Sequence, residues 1–475
     1  MTRRSLLRAL VAAMLVLVAR DASAQLLDPQ TTTLTAGDGT AFDVTSAVVR
    51  VPEQRSGAAN GKTIDLAVVR VRRAGAAASP SAHVILAGGP GDSGVNQVLA
   101  MAKQGGALLA DLMNGDLIGI DQRGTGRSVP NLASQAMYRL PLDQPGSIDA
   151  WLPIVERVSK EEADRLRAKG IALEAYNTRE SADDVAAVCA ALNYPRVTLW
   201  GRSYGTHLAL ATLARHERIV ERMVLVSPEG PDHTWKLPSQ VDATLRLLET
   251  RGAGEIVAPL AAILDRLRRE PVSVEVAHPQ AGPVKVVVGP FDVQWTIAQV
   301  LGDPRALTTL PTAIREMRDG DFRRMAQIAL MRRERTGVQS AMKMMMDLSS
   351  GASPARRERI EREAKTALLG NAINFPVMYL GAAWGAVDLG DGFRRPVASA
   401  VPAIILVGDL DPRTPVENAR EVAATLSRST VVTIENATHQ FDLFGSAPIR
   451  DVLAQFLKGQ RVTVERISLP PLAFQ

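Results

Sequence analysis

Residues 197–206 read Val-Thr-Leu-Trp-Gly-Arg-Ser-Tyr-Gly-Thr. The first four predict a short buried strand, and a helical pattern from Thr206 to Arg215 follows directly. Ser203 therefore stands in a G-x-S-x-G motif, where a sharp turn from strand to helix exposes the hydroxyl and the glycines avoid side-chain clashes. Such a motif arises by chance in chains of this length, so its place between strand and helix carries the prediction that Ser203 is a nucleophile.

Short apolar runs recur on both sides of this motif and alternate with helical segments. That alternation predicts an α/β protein with a mostly parallel central sheet and crossover helices. An antiparallel hairpin of Thr45 to Val51 with Thr63 to Val71 is expected before it, because both stretches are β-branched and a Gly- and Asn-containing segment separates them. The predicted parallel strands are Val84–Ala87, Leu117–Ile120, Val197–Trp200, Met223–Val226, Ala403–Val407 and Val431–Ile434.

The strand signal is interrupted between residues 231 and 397, where the sequence is mainly helical in character. We interpret this interval as a lid inserted between two strands of one sheet. The predicted organisation is a first part of the core at 25–230, a helical lid at 231–397 and a second part of the core at 398–475. The methionine-rich stretch Ala341 to Met346 in the lid is interpreted as core filling.

A serine hydroxyl is a poor nucleophile at neutral pH, so Ser203 needs a histidine base and a carboxylate to orient that base. In chains with this elbow the acid and then the histidine follow the serine. His439 is the histidine that closely follows a late predicted strand, and Asp411 lies in the loop after the preceding one. Asp409, in the same loop, is the alternative acid.

A tetrahedral intermediate also needs donors for its oxyanion, commonly one N–H after the nucleophile and one from an early loop. Tyr204 follows Ser203, and Gly88-Gly89-Pro90-Gly91 follows the strand Val84–Ala87. We expect the backbone of Tyr204 and Gly89 to form the oxyanion hole, with Gly88 as the alternative. A phosphate loop is excluded because no Gly-Lys-Ser/Thr follows.

The first 24 residues combine a basic head, an apolar run from Ala9 to Ala19 and an Ala-Ser-Ala cleavage site. This pattern predicts a signal peptide at 1–24 and an exported protein, periplasmic or secreted. The paired arginines also resemble a twin-arginine signal. No later stretch is apolar enough for a membrane span.

Charge and composition exclude several classes of partner and cofactor. The formal charge of +5 falls to about +2 without the leader, and later arginines alternate with acids, so no nucleic-acid partner is expected. No metal and no cofactor are predicted, because no cluster has ligand spacing. The single cysteine, Cys189, excludes an internal disulfide and is interpreted as buried. We also expect Asp121 to pair with Arg123 and fix the loop between them.

Three motifs together resemble the prolyl iminopeptidase and tripeptidyl aminopeptidase branch of the α/β hydrolases. They are Gly88 to Gly91, Asp116 to Ser128 and Gly201 to Thr206, and Val401 to Pro415 with Asn436 to His439 is similar to that branch's C-terminal segment. The resemblance implies the α/β-hydrolase fold with a helical lid. It also implies a Ser203, Asp411 and His439 triad, and release of N-terminal residues or short peptides through an acyl-enzyme.

An aminopeptidase must also neutralise the free amine of its substrate. Glu229, just past the strand Met223–Val226, is the candidate carboxylate, with Asp232 as a second one. Two alternatives to an aminopeptidase stay open at this point. One is a carboxylester hydrolase with the same triad, and the other is a non-catalytic binding protein on the same fold.

Overall fold

The computed structural model of the protein describes residues 25–57 and 59–475. Within these residues the chain forms a ten-stranded sheet in the order β1-β2-β3-β5-β4-β6-β7-β10-β11-β12 and a separate hairpin of β8 and β9. The strands are β1 (Gln25–Thr35), β2 (Ala41–Pro52), β3 (Thr63–Arg73), β4 (Ala82–Leu86), β5 (Asp116–Ile120), β6 (Val197–Ser203), β7 (Val220–Pro228), β8 (Val272–His278), β9 (Gly282–Val288), β10 (Ala403–Gly408), β11 (Ser429–Glu435) and β12 (Arg466–Ser468).

The sheet is parallel from β5 to β12 and antiparallel at its other edge. Strands β1, β2, β3 and β5 pair antiparallel in that order, and every later neighbour pairs parallel. The predicted hairpin is confirmed, since Val44 lies opposite Val71 and Val51 opposite Ile64. All six predicted parallel strands are present.

Helices connect the parallel strands and fill the interval between β7 and β10. They are α1 (Gly94–Met113), α2 (Ile148–Ala168), α3 (Thr178–Ala191), α4 (Tyr204–His216), α5 (Pro238–Leu248), α6 (Val257–Arg269), α7 (Pro290–Val300), α8 (Pro304–Thr308), α9 (Leu310–Arg318), α10 (Arg323–Arg335), α11 (Ala341–Ser350), α12 (Pro354–Ala364), α13 (Gly381–Trp384), α14 (Asp391–Arg394), α15 (Val416–Ala423) and α16 (Ala447–Leu457). Short helical turns lie at Leu173–Ala175, Glu217–Ile219, Glu249–Ala253, Ala372–Asn374 and Val377–Tyr379.

Both faces of the sheet are covered. Alternate residues of a strand point to opposite faces, so Ile405 and Val407 of β10 join a cluster with α3, α4 and the insertion. Ile404 and Leu406 join a second cluster with α1 and α16 on the other face. Strands buried on both sides explain the continuous apolar runs in the sequence.

The insertion lies between β7 and β10, which are neighbours in the sheet. It holds α5 to α14 and the β8–β9 hairpin, so it is mainly helical, as the predicted fold class requires. Its two β-rich stretches pair only with each other in the described chain. Met342, Met344, Met345 and Met346 are buried, in agreement with a core-filling role.

Cys189 lies buried in α3, where burial raises the pKa of its thiol to about 12. A thiol held protonated in this way is inert, as expected from its spacing on the helix. The predicted signal peptide, residues 1–24, lies outside the described residues. None of the helices in 25–57 and 59–475 is long and apolar enough to cross a membrane.

The expected pairing of Asp121 with Arg123 is wrong. Asp121 instead accepts hydrogen bonds from Ser93 Oγ at 2.5 Å, Val95 N at 3.1 Å and Arg127 N at 2.8 Å. Arg123 points the other way and forms a two-pronged ion pair with Asp184 at 2.7 and 2.9 Å. Both residues lie in the loop past the end of β5, where each side chain takes the partners nearest to it: the donors at the start of α1 for Asp121, and a carboxylate of α3 for Arg123.

Candidate active site

Ser203 is the last residue of β6, and α4 begins at the next residue. Its backbone has φ 52° and ψ −125°, a conformation that a residue with a side chain adopts only when the surroundings impose it. A Cβ at Gly205 would collide with the backbone oxygen of Leu86, and one at Gly201 would lie 2.5 Å from the oxygen of Gly205. The two glycines of the motif therefore permit the tight turn that holds Ser203.

Asp411 and His439 come together from the loops that follow β10 and β11. His439 Nδ1 lies 2.8 Å from Asp411 Oδ2. The carboxylate also accepts from Arg413 N at 2.9 Å, Thr414 N at 3.0 Å and Thr414 Oγ1 at 2.7 Å. Burial works to raise the pKa of Asp411, but His439 and the donors of Thr414 hold it below its usual value, so the group is ionised at neutral pH.

The loop of His439 is tied to the serine elbow. Arg202, next to Ser203, donates from Nη2 to the carbonyl oxygen of Phe441 at 2.9 Å, and its guanidinium lies 5.5 Å from the centre of the Phe441 ring. Ser227, at the end of the neighbouring strand β7, donates to the carbonyl oxygen of His439 at 3.3 Å. These contacts hold the histidine loop beside the carboxyl end of β6.

The alternative acid, Asp409, faces a different part of the loop. Its Oδ2 lies 2.5 Å from Arg251 Nη2, and its Oδ1 accepts from Asn436 N at 2.8 Å. Burial raises the pKa of Asp409, which Arg251 opposes. The structure thus brings Asp411 to His439 and leaves Asp409 as a support for the adjoining turn.

The glycine loop after β4 borders the elbow. A Cβ at Gly88 would lie 2.9 Å from the oxygen of Arg202 and 3.6 Å from Ser203 Cβ, so only glycine allows this approach. Gly89 has a φ of 104°, which strongly favours glycine, and it lines the same cavity as Ser203. Tyr204 is the first residue of α4. Of the two predicted donors of the oxyanion hole, Tyr204 thus follows Ser203 in the chain and Gly89 lines its cavity.

A cavity of about 280 Å³ opens over Ser203 beneath the insertion. Two carboxylates lie in its wall, and each is paired with a lysine. Glu229 Oε2 lies 2.5 Å from Lys236 Nζ, and Asp347 Oδ2 lies 2.7 Å from Lys343 Nζ. Lys343 also reaches the carbonyl oxygen of Gly89 at 3.4 Å.

The pKa values of the two carboxylates are shifted in opposite directions. Burial favours a raised pKa for both, but Lys236 and His207 hold the pKa of Glu229 below its usual value. The pKa of Asp347 is raised, by burial and by the negative charge of Glu229 nearby, with Lys343 acting in the other direction. Both carboxylates line the cavity that opens over Ser203.

Sequence reasoning missed Asp347. The signal was its spacing from Lys343 within an otherwise apolar run, because residues four apart on a helix form neighbouring pairs. Asp232, the second candidate for the substrate amine, instead accepts from Ser353 N and Oγ at 2.6 Å each, next to the start of α12. No group of three His, Cys, Asp or Glu in the described chain is placed to hold a metal ion.

Two family models match the sequence. Residues 84–261 match a model described as alpha/beta hydrolase fold, and residues 382–465 match one described as TAP-like protein. Together with the strand order, the first match confirms the predicted α/β-hydrolase fold. The resemblance is confirmed at the level of α/β hydrolases with a TAP-like C-terminal segment. No curated protein matches the sequence.

Several solved structures are similar in fold. Proline iminopeptidase from Mycobacterium smegmatis is 16% identical, with 90% of this chain and 98% of that chain covered and a TM-score of 0.40. The esterase EaEST from Exiguobacterium antarcticum is 15% identical, with 90% and 100% covered and a TM-score of 0.36. A meta-cleavage product hydrolase from Pseudomonas fluorescens is 13% identical, with 83% and 95% covered and a TM-score of 0.36.

Proposed function

From the α/β-hydrolase fold and the geometry around Ser203, we propose that the protein is a serine aminopeptidase that releases N-terminal residues or short peptides. The observation that carries the proposal is the bond between buried, ionised Asp411 and His439 Nδ1, on a loop tied to a strained serine elbow. A histidine held by a carboxylate, together with a serine that lines a cavity, is the arrangement that nucleophilic catalysis by a hydroxyl requires.

The proposed mechanism starts from the hydrogen bond between Asp411 and His439 Nδ1. Asp411 fixes the proton of His439 on Nδ1, which leaves Nε2 free to accept the proton of Ser203 Oγ as the oxygen attacks the scissile carbonyl. The backbone N–H groups of Tyr204 and Gly89 stabilise the oxyanion. His439 then protonates the leaving amine, and water hydrolyses the acyl-enzyme by the same route.

The cavity supports a small substrate with a free amine. A volume of about 280 Å³ is just below the range of about 300–1,000 Å³ for small-molecule sites. Glu229 and Asp347 supply two carboxylates in the wall of the cavity that Ser203 also lines. An ammonium group that displaces Lys236 or Lys343 would keep both charges paired, which a buried carboxylate requires.

The lysines also favour a second candidate, a carboxylester hydrolase. Because Lys236 and Lys343 already neutralise both carboxylates, the cavity could accept an uncharged acyl group without any amine. The same triad cleaves esters, whose leaving groups need less protonation than amines.

The rates for a tripeptide p-nitroanilide with a free or an acetylated amino terminus separate the two candidates. The aminopeptidase should lose at least about tenfold in kcat/KM on acetylation, since a hydrogen bond to a charged group contributes about 1.5–3 kcal/mol. Glu229→Gln should remove most of that preference, whereas Glu417→Gln, at an exposed position of α15, should keep it. Equal rates on both anilides, with faster cleavage of p-nitrophenyl esters, would establish the esterase instead.

We also propose that residues 1–24 act as an export signal, on the strength of the basic head, apolar run and Ala-Ser-Ala site. Expression of the full chain in a Gram-negative host with fractionation and intact-mass analysis tests this. A periplasmic protein that starts at Gln25 supports the signal, and a cytoplasmic protein that retains residues 1–24 contradicts it.

A further inference from the structure

The cavity wall carries two arginines in addition to the paired lysines. Arg332 of α10 and Arg413 of the loop after β10 both line the cavity with Ser203. Within residues 25–57 and 59–475 neither guanidinium forms an ion pair, whereas both lysines of the wall do. The lining therefore holds two acidic and four basic side chains, with a surplus of two positive charges at the arginines.

One helix of the insertion holds both guanidinium groups. Trp295 and Gln299 are four residues apart on α7 and so share one of its faces. The Arg332 guanidinium lies 5.7 Å from the centre of the Trp295 ring, and Arg413 Nη2 donates to the backbone oxygen of Gln299 at 3.2 Å and to its Oε1 at 3.4 Å. These neutral partners orient the guanidinium groups but cancel neither charge.

Two buried N–H groups of Arg332 and Trp295 also lack hydrogen-bond acceptors in the described residues. Arg332 Nε and Trp295 Nε1 are buried donors with no acceptor in the described part of the chain. A buried donor without a partner costs about 1–3 kcal/mol, and more when the group is charged. Burial lowers the pKa of both arginines; the positive charge of Arg413 adds to this for Arg332, whereas the negative charge of Asp411 opposes it for Arg413. Such a cost is offset when an anion is bound.

We propose that Arg332 and Arg413 form a subsite for a carboxylate of the substrate. This rests on the proposed function, because the cavity that the arginines line is the one that opens over Ser203. A guanidinium matches a carboxylate with two parallel hydrogen bonds, and Trp295 Nε1 is available as a further donor. The substrate is then a short peptide whose amine faces Glu229 and Asp347 and whose carboxylate faces the arginines.

Calorimetry on Ser203→Ala tests binding without turnover. Ala-Ala-Ala should bind at least about tenfold more tightly than Ala-Ala-Ala-amide, the difference expected for a charge-assisted hydrogen bond in a buried site. Ala-Glu-Ala-amide and Ala-Gln-Ala-amide form a second pair that places the carboxylate on a side chain. A preference in the first pair identifies a C-terminal carboxylate, and one in the second pair identifies an acidic side chain.

The same titrations are repeated with a second substitution in Ser203→Ala. With Arg332→Gln, the affinity ratio within the pair that shows the preference should fall close to one. With Arg332→Lys, part of that preference should remain. Arg335→Gln is the matched control, because Arg335 is exposed at the end of the same helix. Equal affinity within both pairs, or a ratio that survives Arg332→Gln, would overturn the subsite. Failure of the proposed function shows separately, as a parent enzyme that does not cleave any of these peptides.

Discussion

Replacing Asp411 by asparagine alters one atom of the side chain and should disable His439. Oδ1 of Asp411 accepts two backbone N–H groups, those of Arg413 and Thr414. The oxygen of an asparagine must stay at that position, because an NH₂ there would face two donors. Its NH₂ then replaces Oδ2, which lies 2.8 Å from His439 Nδ1.

A donor facing Nδ1 makes that nitrogen an acceptor and moves the imidazole proton to Nε2. His439 could then no longer accept the proton of Ser203. The expected result is a fall in kcat of about 10³–10⁴-fold with little change in KM, since orientation and tautomer of the base are lost while the cavity is unchanged. The rates of p-nitrophenyl acetate hydrolysis and of covalent labelling by a fluorophosphonate measure this without knowledge of the natural substrate.

Asp409→Asn is the matched control. Residue 409 lies two residues earlier in the same loop. An asparagine there keeps an oxygen to accept from Asn436 N and loses only the ion pair with Arg251, whose side chain is 30% exposed. Its kcat should stay within about tenfold of the parent, because Asp409 is bonded to Arg251 and Asn436 and not to His439. Equal losses in the two variants, or a larger loss in Asp409→Asn, would refute the assignment of the acid.

Three further predictions concern stability. First, the pKa of Asp411 is lower in the folded than in the unfolded chain. The ionised carboxylate therefore stabilises the folded protein above about pH 4, and this stabilisation is lost as the pH falls further. The midpoint of urea unfolding should vary less between pH 3 and 6 in Asp411→Asn than in the parent. Second, Gly205→Ala should destabilise by at least about 3 kcal/mol through collision with the neighbouring strand, whereas Gly392→Ala, with open space around it, should change thermal unfolding by less than about 0.5 kcal/mol. Third, Arg123→Met should cost about 3 kcal/mol, because it removes a fully buried guanidinium and leaves the buried Asp184 with Arg55 as its remaining cation, whereas Arg157→Met removes an exposed pair and should cost less than about 1 kcal/mol in urea unfolding.

Much of the fold was predictable because its signals are local. The parallel strands are buried on both faces and so appear as short continuous apolar runs. The elbow at Ser203 needs two glycines at fixed positions, and the loops after β10 and β11 follow strands that the sequence marks clearly. Asp411 and His439 could therefore be named as partners before any distance between them was known.

Strand β1 could not be recognised in the same way. It spans Gln25–Thr35, is largely exposed on both faces and contains Pro29, so the alternation of apolar and polar residues is missing. Its pairing with β2 also shifts register between Leu27 and Gln30. The three-residue β12 is too short to leave any pattern.

The substrate side of the site depends on tertiary contacts that no motif records. Asp347 and Glu229 come from α11 and from the end of β7, and Arg332 and Arg413 come from α10 and a loop of the core. Helix α7 brings the two arginines together through Trp295 and Gln299. Charges that converge from separate elements are visible only once the insertion is packed over the sheet.

Labelling of the purified protein by a fluorophosphonate probe, beside Ser203→Ala and the exposed control Ser427→Ala, tests the central claim most directly. We expect one covalent adduct on the parent and on Ser427→Ala, none on Ser203→Ala, and a modified peptide that contains residue 203. A folded parent that takes up no probe, or a Ser203→Ala variant labelled as fast as the parent, would contradict an activated serine at the end of β6.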